Sequence, residues 1–208
     1  MLAINYDKEQ KIFNLSNGKI SYILGIEKDC YVKHIYFGKY LLSYNGSNAQ
    51  LFYDRGFCSN PIASDRNFSL DTLLQEYPDF NQGDFRNPAY IIQTEDGKRV
   101  NRFYYDSFNI IEGKPKLEGL PSIYVNNENE AKTLCIILKD VVMNASIYLY
   151  YTIFADYDVI CRHTEIVNHG DKSIYLDKVM SFSMDFADSD YDVMTLSGAH
   201  LYAKKYLS

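Results

Sequence analysis

Residues 147–154, IYLYYTIF, carry the alternation that decides the fold class. Every position except Thr152 holds a large apolar or aromatic side chain. This is true of the odd positions, from Ile147 to Ile153, and of the even positions, from Tyr148 to Phe154. Successive side chains of a β-strand point to opposite faces of a sheet. This stretch is therefore predicted to be a strand that is covered on both faces.

Comparable runs extend along most of the chain. They occur at residues 20–24, 31–37 and 134–138, and residues 180–186 alternate between apolar and polar side chains. Turn sequences such as Asn-His-Gly at residues 168–170 separate the runs. Together they predict roughly ten to twelve strands with almost no helical periodicity. This pattern is typical of an all-β protein with one large antiparallel β-sandwich.

The composition agrees with this fold and excludes several classes of function. The 208 residues include 20 Tyr and 12 Phe but no Trp, and both Tyr and Phe favour strands. The net charge is −6 and basic residues form no cluster longer than a pair, so neither nucleic acid nor an anionic membrane is expected as a partner. No apolar run approaches the roughly 20 residues of a membrane span.

The N-terminus and the cysteines predict a cytoplasmic protein. The first residues lack the apolar core of a signal peptide. The four cysteines are widely separated and form no C-x-x-C pair, so we expect all of them to be reduced thiols. They are Cys30, Cys58, Cys135 and Cys161.

Standard catalytic and metal-binding patterns are missing from the sequence. It contains no G-x-S-x-G, no P-loop, no G-x-G-x-x-G and no H-E-x-x-H. The four histidines show no ligand spacing; they are His34, His163, His169 and His200. We therefore expect no metal site and no cofactor.

Residues 54–90 form a long segment without strand periodicity. The segment carries three of the five prolines, many charged residues and several aromatic ones. Ser69 is positioned to cap one short helical turn before Pro78. Because the segment is long and rich in aromatic residues, it is predicted to be a functional loop rather than a linker.

The charged residues of this segment allow more than one interpretation. Glu76 and Asp84 lie close to Arg86 in sequence, and we expect a buried ion pair that orders the loop. Glycoside hydrolysis also needs two carboxylates across the scissile bond, so a catalytic role stays open at this point for the carboxylates that lie near one another here, which are Asp71, Glu76, Asp79 and Asp84. A polar edge that includes Asp54 and Arg66 is suited to binding sugar hydroxyls, because ionised groups form the stronger hydrogen bonds.

Four ordered stretches resemble the motifs of one known family. Residues 69–89, SLDTLLQEYPDFNQGDFRNPA, are similar to its segment S-L-D-T-x-x-Q-E-Y-P-x-x-G-x-G-D-F-R-x-P-A. Residues 34–39, HIYFGK, resemble its H-x-Y-x-G-K, and residues 113–121, GKPKLEGLP, resemble its G-K-P-x-L-x-G-L-P. Residues 151–168 resemble its Y-T-I-F…D-V-I-x-R…N. The family is glycoside hydrolase family 36, the α-galactosidases of the raffinose and melibiose type, and the similarity covers nearly the whole chain.

The resemblance implies an N-terminal β-supersandwich, which family members follow with a (β/α)8 barrel and a C-terminal β domain. Members are retaining hydrolases whose two catalytic aspartates belong to the barrel, and their nucleophile motif K-W-D-x-N cannot occur in a chain without Trp. We therefore expect residues 1–208 to be the supersandwich domain without the catalytic barrel, with no catalytic residue and no hydrolysis by the isolated chain.

The sequence departs from the family pattern at three places. Asn81 stands where the family usually has the first Gly of its Y-G-x-G-D, and His200 stands where it usually has Trp. The chain also ends before the family's sandwich normally does. We therefore expect the sandwich to be truncated at its C-terminal end.

The resemblance also implies a homo-oligomer in which loops of this domain reach the active-site mouth of a neighbouring subunit. Within the 54–86 loop, the residues expected nearest an α-galactosyl oligosaccharide are Asp54, Phe57, Arg66 and Tyr77. An alternative is a stand-alone carbohydrate-binding module without enzyme activity, which would use exposed tyrosines as its platform. A complete enzyme of another class on a sandwich scaffold is a third interpretation, and no motif supports it.

Overall fold

The structure is a computed structural model that describes residues 2–44, 54, 56, 60–119, 122–185, 190–197 and 205–207. For residues 195–197 and 205–207 the backbone alone is described. Twelve strands are present in these residues. In chain order they are β1 (Ala3–Asp7), β2 (Ile12–Ser16), β3 (Ile20–Glu27), β4 (Tyr31–Lys39), β5 (Tyr90–Thr94), β6 (Tyr104–Glu112), β7 (Ala131–Asp140), β8 (Ala145–Phe154), β9 (Ile160–Asn168), β10 (Ile174–Val179), β11 (Thr195–Ser197) and β12 (Lys205–Leu207).

Two four-stranded antiparallel sheets form the body of the domain. The first has the order β1-β2-β3-β4 and the second has the order β6-β7-β8-β9. Two further pairs, β5 with β10 and β11 with β12, are also antiparallel. The helical content of the described chain is one 3-10 turn at Glu128–Glu130. The prediction of an all-β antiparallel sandwich is confirmed.

The two main sheets share one hydrophobic core, which is why they stack as a sandwich. Strand β8 contributes Ile147, Leu149, Tyr151 and Ile153 from one face, so the predicted alternation is confirmed. Burying each such side chain stabilises the fold by about 1.5–3 kcal/mol. The facing side chains from the first sheet are Phe13, Leu15, Tyr22, Leu24 and Ile26.

Part of the segment between β4 and β5 lies along the edge of the first sheet. Residues 74–76 run beside β4. The backbone amide of His34 donates to the carbonyl of Leu74 at 2.7 Å, and the backbone amide of Glu76 donates to the carbonyl of Val32 at 3.0 Å. Phe68, Leu70 and Leu73 form a second small core with Tyr31. Where a short helix capped by Ser69 was predicted, the chain makes one turn, closed by the amide of Leu73 and the carbonyl of Leu70.

The predicted alternation at residues 180–186 produces no strand in its described part, residues 180–185. Strand β10 ends at Val179, and residues 180–185 are irregular, with Met180 and Phe182 exposed. Carbonyls of this stretch accept hydrogen bonds from side chains instead of from a neighbouring strand. The donors are the hydroxyl of Tyr77 to Met180, the hydroxyl of Thr164 to Ser181, and the guanidinium of Arg162 to Ser183. Phe186 lies outside the described residues.

No helix in the described part of the chain is long and apolar enough to cross a membrane.

Candidate functional site

The carboxylate of Glu76 lies fully buried between the two main sheets. Residues 74–76 run extended beside β4, so consecutive side chains point to opposite sides. Gln75 points to the opposite side of the segment, where its side-chain amide donates to the buried Asp84 Oδ2 at 2.8 Å. Glu76 therefore points into the sandwich, where an ionised group needs partners.

Four side chains from four strands surround this carboxylate. From the first sheet, the Tyr22 hydroxyl donates to Glu76 Oε1 at 2.7 Å, and His34 Nδ1 lies 2.9 Å from the same oxygen. From the second sheet, Arg162 Nη1 lies 2.9 Å from Glu76 Oε2, and the Tyr151 hydroxyl donates to Oε2 at 3.2 Å. The carboxylate thus joins β3 and β4 to β8 and β9.

Arg162 extends the network to the segment after β10. Its guanidinium donates to the carbonyl of Ser183 at 3.0 Å and to the backbone carbonyl of Glu76 at 3.3 Å. The same guanidinium lies over the ring of Tyr151, with 4.5 Å between Cζ and the ring centre. A buried guanidinium with this many acceptors is held in one orientation.

The pKa values of Glu76, Arg162 and the two tyrosines are shifted by burial and by their neighbours. Burial by itself would raise the pKa of Glu76, but the charge of Arg162 and the hydrogen bond from His34 outweigh it and hold the pKa below its ordinary value. Burial opposes the charge on Arg162, while Tyr151 and Glu76 raise its pKa above the usual range. Burial and the negative charge of Glu76 raise the pKa of Tyr22 and Tyr151. The tyrosines therefore stay neutral and the Glu76–Arg162 pair stays ionised.

Such a cluster can hold two sheets together, but it is unsuited to acid–base chemistry. A catalytic acid or base needs a pKa near the working pH and a route to the substrate. Glu76 has a lowered pKa and a side chain without solvent exposure. We interpret it as a structural carboxylate.

A second ion pair orders the turn that follows. Arg86 binds Asp84 through two hydrogen bonds, Nε to Oδ1 at 2.9 Å and Nη2 to Oδ2 at 2.7 Å. Its Nη1 also lies 2.9 Å from Asp185 Oδ2. The sequence grouped Glu76 with Asp84 and Arg86; in the structure Arg86 binds Asp84, whereas Glu76 faces the opposite side of its segment and binds Arg162.

Three of the four residues predicted to lie nearest the substrate are described, and these three do not form one surface. Arg66 Nη2 lies 3.3 Å from Asp54 Oδ1, and both side chains are largely exposed. Tyr77 is buried in the main core, where its ring stacks on that of Tyr90 and its hydroxyl donates to the carbonyl of Met180 at 2.6 Å. Phe57 lies outside the described residues. Contact of these residues with substrate stays a prediction.

Within the described residues, no group of three or more His, Cys, Asp or Glu side chains is arranged to hold a metal ion. The described cysteines, Cys30, Cys135 and Cys161, are free thiols, and Cys58 lies outside the described residues.

Comparison with known proteins places this domain among glycoside hydrolases. The family model for the glycosyl hydrolase family 36 N-terminal domain matches residues 30–202. The chain is 41% identical over 198 residues to the α-galactosidase AgaA of Geobacillus stearothermophilus, a match that covers 95% of this chain and 27% of AgaA. The α-galactosidase Mel36A of Lactobacillus acidophilus is also 41% identical, with the same coverage.

Solved structures give the same result. The crystal structure of the family 36 α-galactosidase AgaB from Geobacillus stearothermophilus superposes with a TM-score of 0.88 at 42% identity, covering 95% of this chain and 27% of that one. An AgaA variant in complex with raffinose superposes with a TM-score of 0.86 at 43% identity, covering 91% and 26% of the two chains. The chain belongs to the glycosyl hydrolase family 36 N-terminal domain family, and it spans about a quarter of the length of these relatives.

The Glu76 cluster brings together stretches that carry the family resemblance. His34, Glu76, Tyr151 and Arg162 belong to the stretches at residues 34–39, 69–89 and 151–168. These motif residues thus meet at one buried carboxylate.

The lowered pKa of Glu76 predicts how acid affects stability. Because the folded pKa lies below the unfolded one, the contribution of Glu76 is complete above the ordinary value of 4.5 and is lost as pH falls toward the folded pKa. We expect the difference in unfolding free energy between the parent chain and Glu76→Gln to shrink as pH falls below 4.5. Urea titrations from about pH 7 to pH 3 measure it. A difference that stays constant over this range would contradict the assignment.

Proposed function

We propose that this chain is the non-catalytic N-terminal domain of an α-galactosidase that hydrolyses terminal α-galactosyl residues of oligosaccharides. The observation that carries the proposal is the Glu76 cluster, because in it residues of the family-like motifs join the two sheets inside the sandwich. The α-galactosidase relatives support the same activity for the whole protein.

The buried carboxylates support a non-catalytic role. A glycosidase needs two carboxyl groups that flank an open sugar site. Glu76, Asp79 and Asp84 are all buried, and each has hydrogen-bond partners within the domain. A sugar ring does not reach any of them in this fold.

The Asp54–Arg66 pair supports a role at the edge of the active-site pocket. Its two charged groups lie 3.3 Å apart on the surface, where a carboxylate and a guanidinium can bind neighbouring hydroxyls of a sugar. We propose that the pair lies at the pocket mouth of the full enzyme, in a cytoplasmic homo-oligomer that this domain helps to assemble. The free thiols of the described cysteines support the cytoplasmic location.

A stand-alone carbohydrate-binding module is the second candidate. It is favoured by Tyr124 and Tyr157, which are both exposed and line one groove. Such a module would bind sugar without any catalytic domain.

A chimera tests the first candidate. The chain replaces the matching N-terminal part of AgaA, and hydrolysis of melibiose and the oligomeric state are measured. We expect a folded, oligomeric and active chimera. A folded chimera that assembles normally but is inactive would contradict the proposal, and full activity of AgaA lacking this domain altogether would do so as well.

Arg66→Ala in that chimera is expected to raise KM for melibiose by about tenfold or more, since a hydrogen bond to a charged group contributes about 1.5–3 kcal/mol. Steady-state kinetics provide the measurement. The matched control is Lys98→Ala, which removes a comparably exposed cation that pairs with Asp96. Equal KM values for the two variants would contradict the assignment of Arg66 to the pocket edge.

A further inference from the structure

An open groove of about 750 Å³ lies at one end of the second sheet, apart from both the Glu76 cluster and the Asp54–Arg66 pair. One wall is the stretch 123–130 before β7, and the other is the turn 154–159 that joins β8 to β9. The volume falls within the range of small-molecule sites in proteins, roughly 300–1,000 Å³.

Hydrogen bonds from Asn17 hold the turn that forms one wall. Asn17 is a buried residue between β2 and β3. Its side-chain amide donates to the carbonyls of Phe154 and Tyr157, both at 3.2 Å. The same amide donates to Asp158 Oδ1 at 3.0 Å. The backbone that carries Tyr157 is therefore held before any ligand binds.

Glu130 fixes the other wall. Its Oε1 accepts from the side chain of Asn127 at 2.7 Å, and its Oε2 accepts from the amide of Asn126 at 3.1 Å. Its carbonyl accepts from the amide of Ala155 at 2.9 Å, which ties the two walls together. Rigid walls lower the entropic cost of binding.

The groove presents aromatic faces and unused polar groups. Tyr124 and Tyr157 are 77% and 69% exposed. The side chains of Tyr124, Tyr157, Asn126 and Asp156 make no hydrogen bond to other described residues. Two aromatic rings, an amide and a carboxylate thus face the same open space without an internal partner.

We propose that this groove binds a neutral saccharide, with sugar rings packed on both Tyr157 and Tyr124 and hydroxyls bonded to Asn126 and Asp156. An aromatic face packs on the C–H groups of a sugar, while amide and carboxylate groups bond to its hydroxyls. Glu130 and Asp156 line the groove and no lysine or arginine among the described residues does, so an anionic ligand is disfavoured. This inference rests on the second candidate of the proposed function and deepens it by naming the site and the class of ligand.

The test is a titration of the isotope-labelled chain with melibiose, followed by amide NMR signals. We expect shifts at residues 123–130 and 154–159. Tyr157→Ala and Tyr124→Ala should each weaken binding by about fivefold or more, because a ring contact contributes about 0.5–1.5 kcal/mol beyond its buried area. Tyr175→Ala removes an exposed tyrosine on β10 and should leave the affinity unchanged.

Four results would overturn the proposal. The first three are the absence of any shift of groove signals with melibiose, parent-like affinity of the two tyrosine variants, and binding of galacturonate as tight as that of the neutral sugar. The fourth is a shift of groove signals that depends on protein concentration and not on sugar, which would identify a protein contact surface instead. None of these outcomes changes the activity of the AgaA chimera, so this proposal and the first candidate function fail independently.

Discussion

Replacing Glu76 by Gln is expected to lower the free energy of unfolding by about 3–5 kcal/mol. The variant keeps the size of the side chain but leaves Arg162 buried without its counter-ion. An uncompensated buried charge is costly, whereas an intact buried pair adds little beyond its own desolvation. For a chain of this length the midpoint of thermal unfolding should fall by roughly 6–20 °C.

Urea denaturation and thermal scans of the parent and the variant provide the measurement. The matched control is Asp96→Asn, which removes one carboxylate from an exposed ion pair with Lys98. We expect no measurable change in the control, since exposed pairs contribute little. If Glu76→Gln were as stable as the control, the carboxylate would not hold the sheets together.

Replacing Leu149 by Ala is expected to cost about 2–5 kcal/mol, because the cavity that it leaves lies in the core shared by the two main sheets. Leu42→Ala is the matched control, since Leu42 is 85% exposed and the chemical change is the same. The control should change stability by no more than about 0.5 kcal/mol. Equal losses in the two variants would mean that the inward face of β8 is wrongly assigned.

The strand pattern could be predicted from sequence wherever a neighbouring strand completes the ladder. Residues 147–154 form the centre of β8, which pairs with β7 on one side and β9 on the other. Residues 180–185 also alternate, but three of their backbone carbonyls accept hydrogen bonds from side chains, those of Tyr77, Thr164 and Arg162. Alternation describes only the chain itself, so it does not reveal which partner its backbone finds.

The partner of Glu76 was missed for a related reason. Sequence proximity favoured Arg86, whereas the extended backbone at residues 74–76 turns Glu76 away from it. The true partners, His34 and Arg162, lie 42 and 86 positions away. The one sequence signal that links them is that all three lie in the family-like stretches. This signal does not single them out, because each of those stretches also contains residues that do not touch Glu76.

The measurement that tests the central claim most directly is the hydrolysis of a chromogenic α-galactoside by the purified chain alone. The account predicts no release of chromophore above that of the buffer, because three of the four carboxylates of the 69–89 stretch, Glu76, Asp79 and Asp84, are buried and hydrogen-bonded within the domain, and glycoside hydrolysis needs two carboxyl groups at an open site. Release that disappears on Glu76→Gln, in a variant still folded by circular dichroism, would contradict it.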